Sequence, residues 1–277
     1  MTPRGKLPRK TRGVQLGVGV AVLLMAVVAG GCSSNTTNTP KPPGCPDVQA
    51  VFVPGTGETH VGADPAVPVG ILKSVADPIR ASVDANRAGF YFVPYVADLP
   101  NPIAYQASEQ AGVKATTDAI ATTAAKCPAA RFTLAGYSQG AAVAGDVATQ
   151  IGQGAGPVSA DKLLGVGLIA DPNRDPKTEK LIGPPVDGSG LVGPRPKNFG
   201  AVGDRVVTFC ATGDLICATP DSARNLANLP AALAQIGQAI NSQVHSSYGT
   251  YQVDSGKSAT EWLANWLTDK IKSAPKG

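Results

Sequence analysis

The chain has 277 residues, 43% of them hydrophobic and 16% charged, with a formal net charge of +4. Arg4, Lys6, Arg9, Lys10 and Arg12 supply five of the positive charges with no acid before Cys32, which leaves the rest of the chain near −1 and without the basic surface that nucleic-acid binding requires. The only histidines are His60 and His245, and the cysteines match no zinc-binding spacing, so neither a metal nor any other cofactor is expected.

Residues 1–31 read as an export signal or membrane anchor: a basic start, then an uncharged run from Leu16 to Gly31 with an apolar core at Val18–Val28. That core is shorter than the ~20 residues of a comfortable membrane span. Ala29-Gly-Gly-Cys32 resembles a bacterial lipobox, with Ala29 where Leu or Val is usual, which makes Cys32 a candidate for lipidation; the alternative is ordinary signal cleavage. Residues 32–44, rich in Pro, Ser, Thr and Asn, read as an extended tether, and 45–277 as one folded domain.

Within that domain Val48–Val53 is a β-rich apolar run closed by Pro54-Gly55, a buried strand. Val67–Val83 is a predicted helix limited by Pro68 and Pro78, Gly89–Tyr95 a second strand, and Tyr105–Lys126 a long Ala/Thr-rich helix. Arg131–Ala135 is a third strand that runs into Gly136-Tyr-Ser-Gln-Gly140 and then a helix to about Gly152. This strand–turn–helix is the context of a G-x-S-x-G nucleophile elbow. The turn lifts Ser138 out of the backbone, glycines avoid clashes in it, and the N–H of Gln139 points out of a helix N-terminus toward developing negative charge. Leu163–Ala170 is a fourth strand whose glycines would admit neighbouring backbone. The Gly/Pro-dense segment 173–199 reads as a long surface loop, open to a role as a lid. Arg205–Cys210 is a fifth strand, Ser222–Val244 an amphipathic helix, and Ser258–Lys272 a C-terminal helix with Trp262 and Trp266 on a core-packing face. Short apolar strands alternating with helices predict an α/β three-layer sandwich around a mainly parallel sheet of about five strands.

A serine nucleophile needs a base and an acid that orients it. In the chain order Ser–acid–His only His245 qualifies as base; His60 lies before the serine. Asp171, Asp175, Asp204 and Asp214 lie in the interval for the acid. Asp214 is favoured because Cys210 and Cys217 flank it and a short disulfide loop would hold it rigidly; Asp171 is the runner-up. Four cysteines in an exported domain suggest two disulfides, with three pairings open and a local 210–217 loop favoured by spacing. The loop Pro54-Gly-Thr-Gly-Glu-Thr59 can supply a second oxyanion donor from Thr56.

Cys45-Pro-Asp-Val, Gly55-Thr-Gly-Glu, Gly136-Tyr-Ser-Gln-Gly140, Cys210-Ala-Thr-Gly-Asp-Leu-Ile-Cys217 and His245-Ser-Ser-Tyr-Gly249 together resemble the cutinase family, in particular its actinobacterial cell-envelope esterases. The resemblance implies a cutinase-like α/β-hydrolase with nucleophile Ser138, acid Asp214 and base His245. It also implies an oxyanion hole from Thr56 and Gln139, and disulfides Cys45–Cys127 and Cys210–Cys217. Pro54 stands where plant-cutin-degrading members have arginine, which turns the expectation from cutin toward lipid esters, with phospholipase A or thioesterase activity as related options. The expected setting is an exported monomer at the membrane or cell envelope, secreted or tethered. An acyltransferase on envelope lipids and a non-catalytic envelope-binding protein are the alternatives.

Overall fold

Side chains along β1 (Val48–Val53) alternate: Val48, Ala50 and Phe52 enter one core, Val51 and Val53 another. A strand buried on both faces needs helices on both, and its partners can then run parallel. The computed structural model, which describes residues 41–99, 102–221 and 243–276, meets that requirement. β2 (Ala88–Phe92), β3 (Arg131–Tyr137), β4 (Leu163–Ile169), β5 (Lys180–Leu181) and β6 (Val206–Phe209) join β1 in a wholly parallel sheet of order β2-β1-β3-β4-β6-β5. The helices α1 (Lys73–Ser82) and α4 (Ala259–Ser273) cover one face, while α2 (Pro102–Lys126) and α3 (Gln139–Gly152) cover the other. A small antiparallel pair, β7 (Gln252–Asp254) and β8 (Lys257–Ser258), precedes α4. This is the three-layer α/β-hydrolase arrangement. The export and tether segments up to residue 40, Cys32, and nearly all of the predicted helix 222–244 lie outside the described residues.

From β1 the chain moves to β2 on one side, then returns to β3 on the other side and continues to β4. The loops after β1 and β3 therefore part company, and open α/β sheets form their crevices at such a switch point, beyond the carboxyl ends of the strands. Ser138 and the 54–59 loop both lie there.

Three local readings are corrected. Pro78 does not limit α1 but sits inside it; Ser74, whose carbonyl it would leave without a helical partner, and Pro78 itself are both exposed residues, which lowers the cost of the missing bond. The glycines of β4 make room for side chains rather than backbone: a Cβ at Gly165 would lie 2.9 Å from the Trp266 ring and one at Gly167 2.3 Å from Leu263, both on α4. The 173–199 segment contributes the two-residue strand β5, and two of its arginines, Arg174 and Arg195, are buried, so it is no plain surface loop.

Trp262 and Trp266 stack at 6.1 Å and pack against the α1/α4 core. Helix α4 starts with a reciprocal capping box between Ser258 and Glu261. Disulfides join Cys45 to Cys127 and Cys210 to Cys217. Among the described residues no helix is long and apolar enough to cross a membrane.

Candidate active site

Ser138 has φ 55° and ψ −124° between β3 and α3, a conformation that costs of order 1–3 kcal/mol in a non-glycine residue. Close packing imposes it. A Cβ at Gly136 would lie 2.2 Å from the Gly140 carbonyl oxygen, and one at Gly140 would lie 2.0 Å from that of Val53. Both glycines are thus required, and the first turn of α3 is pressed against the end of β1.

The serine Oγ lies 3.0 Å from His245 Nε2, and His245 Nδ1 lies 2.9 Å from Asp214 Oδ2. An ionised carboxylate only accepts, so Nδ1 carries the proton and Nε2 is left to accept from Ser138. All three side chains are shielded, with Ser138 6%, His245 3% and Asp214 0% exposed. Tyr137 donates its hydroxyl to the His245 carbonyl at 2.8 Å and stacks its ring on the imidazole at 5.1 Å. Asp214 accepts the Ile216 N–H on Oδ1 at 3.0 Å and the Tyr248 hydroxyl on Oδ2 at 2.6 Å.

The loop after β1 is held by Glu58. Its carboxylate accepts from the N–H of Gly55 at 2.8 Å and of Ile71 at 3.0 Å, and burial raises its pKa despite those two bonds. Gly57, at φ 76°, donates to the Ala97 carbonyl at 2.7 Å. Thr56 sits between these fixed points in the chain and is half-buried. The Gln139 side chain turns away toward Ser108, Tyr95 and Asp98, and its backbone N–H lies in the first helical turn, where no intrahelical acceptor exists.

The rival candidates lie elsewhere. His60 is exposed, its Nδ1 2.9 Å from the Val61 carbonyl. Asp171 is as buried as Asp214, but its Oδ2 takes Arg195 Nη1 at 2.9 Å. Arg195 also binds Asp146 at 2.9 Å, approaches Glu179 at 3.6 Å and donates to the Ala142 carbonyl at 3.0 Å. Burial first, then the charge of Asp171, pushes Glu179 up to about 8. Arg174 donates to the carbonyls of Cys217 and Gly188, each at 2.6 Å, and the Leu191 N–H reaches the Ile216 carbonyl at 2.9 Å. The 173–199 segment is therefore stitched to α3 and to the Asp214 loop. Tyr248, Glu58 and Arg195 hold Asp214, the 54–59 loop and Asp171 in place, and the sequence had assigned none of them a part. A tyrosine three residues beyond the histidine and a glutamate two residues beyond Thr56 were visible signals; Arg195, in a Gly/Pro-dense stretch, gave none. Among the described residues no cluster of His, Cys, Asp or Glu is arranged to hold a metal ion.

The family model described as Cutinase matches residues 44–267. A carboxylesterase Culp6 homolog of Corynebacterium glutamicum is 35% identical over 167 residues, which are 57% of this chain and 54% of that protein. Carboxylesterase Culp1 of Mycobacterium tuberculosis is 30% identical over 173 residues, 62% of this chain and 69% of that protein. The chain thus spans about half of the first relative's length and about two thirds of the second's. Among solved structures, the catalytic core of an acetyl xylan esterase from Trichoderma reesei aligns with TM-score 0.54 at 18% identity, covering 83% of this chain and 100% of that one. A cutinase-like protein from Cryptococcus sp. aligns with TM-score 0.55 at 20% identity, covering 83% of this chain and 98% of that one. At those identities the structural likeness speaks to the fold.

Proposed function

This chain belongs to the cutinase family, and on that premise we propose that it is a serine carboxylesterase whose triad is Ser138, His245 and Asp214. The observation that carries the reading is the unbroken chain of contacts, 3.0 Å from Ser138 Oγ to His245 Nε2 and 2.9 Å from His245 Nδ1 to Asp214 Oδ2. Ser138 attacks the ester carbonyl while Nε2 takes its proton. The imidazolium so formed is balanced by Asp214 and gives the proton to the leaving alcohol. The acyl-enzyme is then hydrolysed by water activated at the same nitrogen. The N–H groups of Gln139 and Thr56 receive the oxyanion, each such donor worth about 3–4 kcal/mol.

The substrate we infer is an ester with an apolar acyl chain. The exposed large hydrophobics among the described residues are Val61, Val67, Val96, Val192 and Leu215. All five lie on segments that follow the carboxyl ends of the strands, the edge of the sheet that carries Ser138. The relatives named carboxylesterases support the same reaction class. We also place the protein outside the cytoplasm: its two disulfides suit an oxidising compartment, as does the basic-then-apolar sequence of residues 1–31.

The test is Ser138→Ala assayed on p-nitrophenyl esters of graded chain length, with fluorophosphonate labelling of the wild type. The expected result is a loss in kcat of at least about a thousand-fold in a protein of unchanged circular dichroism, and a single adduct on Ser138. Wild-type activity in the alanine variant would overturn the reading.

A further inference from the structure

Three residues past the candidate base, in the short 3-10 turn Ser247–Gly249, stands Tyr248, a fully buried phenol. Its hydroxyl donates to Asp214 Oδ2 at 2.6 Å and accepts the Ala211 N–H at 2.9 Å. The same Asp214 oxygen meets His245 Nδ1 at 2.9 Å. The phenol oxygen is also 3.4 Å from Cys217 Sγ, within the Cys210–Cys217 disulfide.

We propose that Tyr248 is a positioning residue of the active site: its hydroxyl fixes the Asp214 carboxylate toward His245 Nδ1 and draws off part of its charge, and so sets both the aim and the basicity of His245. This rests on the esterase reading above. The direction of the hydroxyl proton follows from its neighbours. The Ala211 N–H occupies the oxygen as acceptor, and the disulfide sulfur has no proton to give, so the phenol proton goes to the carboxylate. Burial first, then the charge of Asp214, pushes the phenol well above its ordinary 10.0, so it stays a donor throughout the working pH range. With Ile216 N–H on Oδ1, the carboxylate has three donors and is fixed about its last torsion. Base and carboxylate-holder ride on one turn, so a shift of that turn moves both together.

The other groups facing this cluster are Tyr137 from β3, Glu58 from the loop after β1, Arg174 from the segment after β4, and Tyr251, whose hydroxyl contacts Thr212. Tyr248→Phe keeps the ring that meets Tyr137 and Tyr251 edge-on.

The experiment is the rate of fluorophosphonate labelling at Ser138 as a function of pH, with kcat and KM on a p-nitrophenyl ester, for wild type and Tyr248→Phe. Loss of one hydrogen bond to a charged group should lower kcat about ten- to hundred-fold with KM unchanged. The carboxylate, left with its full charge, should favour the imidazolium and move the acid limb of the labelling profile to higher pH. A purely structural tyrosine would lower the melting temperature and leave that limb in place, which overturns the proposal. Because Tyr248→Phe also strands the Ala211 N–H, a ring-difluorinated tyrosine introduced at position 248 serves as a second probe of nearly native shape. It is a stronger donor, and the limb should move to lower pH; an unmoved limb again overturns the proposal. If the wild type takes no label at Ser138, the esterase reading itself falls and takes this proposal with it.

Discussion

Two aspartates follow neighbouring parallel strands at the same edge of the sheet, Asp171 after β4 and Asp214 after β6, and both are 0% exposed. They have been put to opposite uses. Asp171 faces a permanent cation, Arg195, which is shared with Asp146 and Glu179. Asp214 faces a side chain that can lose its charge, with hydroxyl and backbone donors satisfying what the histidine does not. A carboxylate locked to a guanidinium is neutralised for good and serves the architecture. One set against an imidazole has its full counter-charge only while the imidazole is protonated, the state through which the proposed base would pass in each turnover. Position after a strand makes an acid available, and the partner decides what it does.

Exchanging each carboxylate for its amide should separate the two uses most widely. Asp214→Asn is expected to lower kcat about 10⁴-fold, because the amide favours the wrong imidazole tautomer, with little change in melting temperature. Asp171→Asn should leave kcat within about two-fold and cost about 3 kcal/mol in denaturant unfolding, since it takes a charged partner from a buried arginine. Comparable kinetic losses in both variants would break the contrast.

The next effect concerns what holds each acid. The Asp214 loop is closed by Cys210–Cys217, seven residues apart. The double change Cys210→Ser/Cys217→Ser should cost about 2–3 kcal/mol of stability and depress kcat more than KM, as the carboxylate loses its rigid frame. Full activity would mean that Tyr248 and the backbone of the loop hold Asp214 without the cross-link.

The smallest effect tests the arginine side. Glu179, ordinarily at 4.5, is pushed up to about 8 in the folded protein by burial and by Asp171. The folded state therefore binds a proton that the unfolded state has released, and stability is greatest below about 4.5 and declines as pH rises through about 8. Glu179→Gln should flatten that decline in the melting temperature. Some slope should remain from Glu109, raised to about 7 mainly by burial. An unchanged slope would mean that Glu179 is ionised beside Arg195.

The parts of the fold legible in sequence were those whose cause is local. The strand before Ser138, the two glycines of its turn and the helix behind it lie within one short stretch, and each residue type there answers a steric demand made by its neighbours. Asp214 stood out over Asp171 because cysteines flank it. The partners were hidden by distance. Arg195 reaches Asp146 across 49 positions and Tyr248 reaches Asp214 across 34, and no periodicity links such pairs. The Gly- and Pro-rich composition of 173–199 signalled exposure, whereas its buried arginines follow from contacts to α3 and to the Asp214 loop. Pro78 looks like a limit to its helix in sequence, which does not say which helix positions face water.

The Cys45–Cys127 cross-link bears on mechanics. It joins a residue just ahead of β1 to the one that follows α2, just ahead of β3, and the Arg131 N–H meets the Asp47 carbonyl at 2.9 Å close by in the chain. A pull on the chain from its N-terminal side would enter at Cys45 and divide there. Part of the load would pass through sulfur to the foot of β3, and β1 could not slide along or unzip from the strand that carries Ser138.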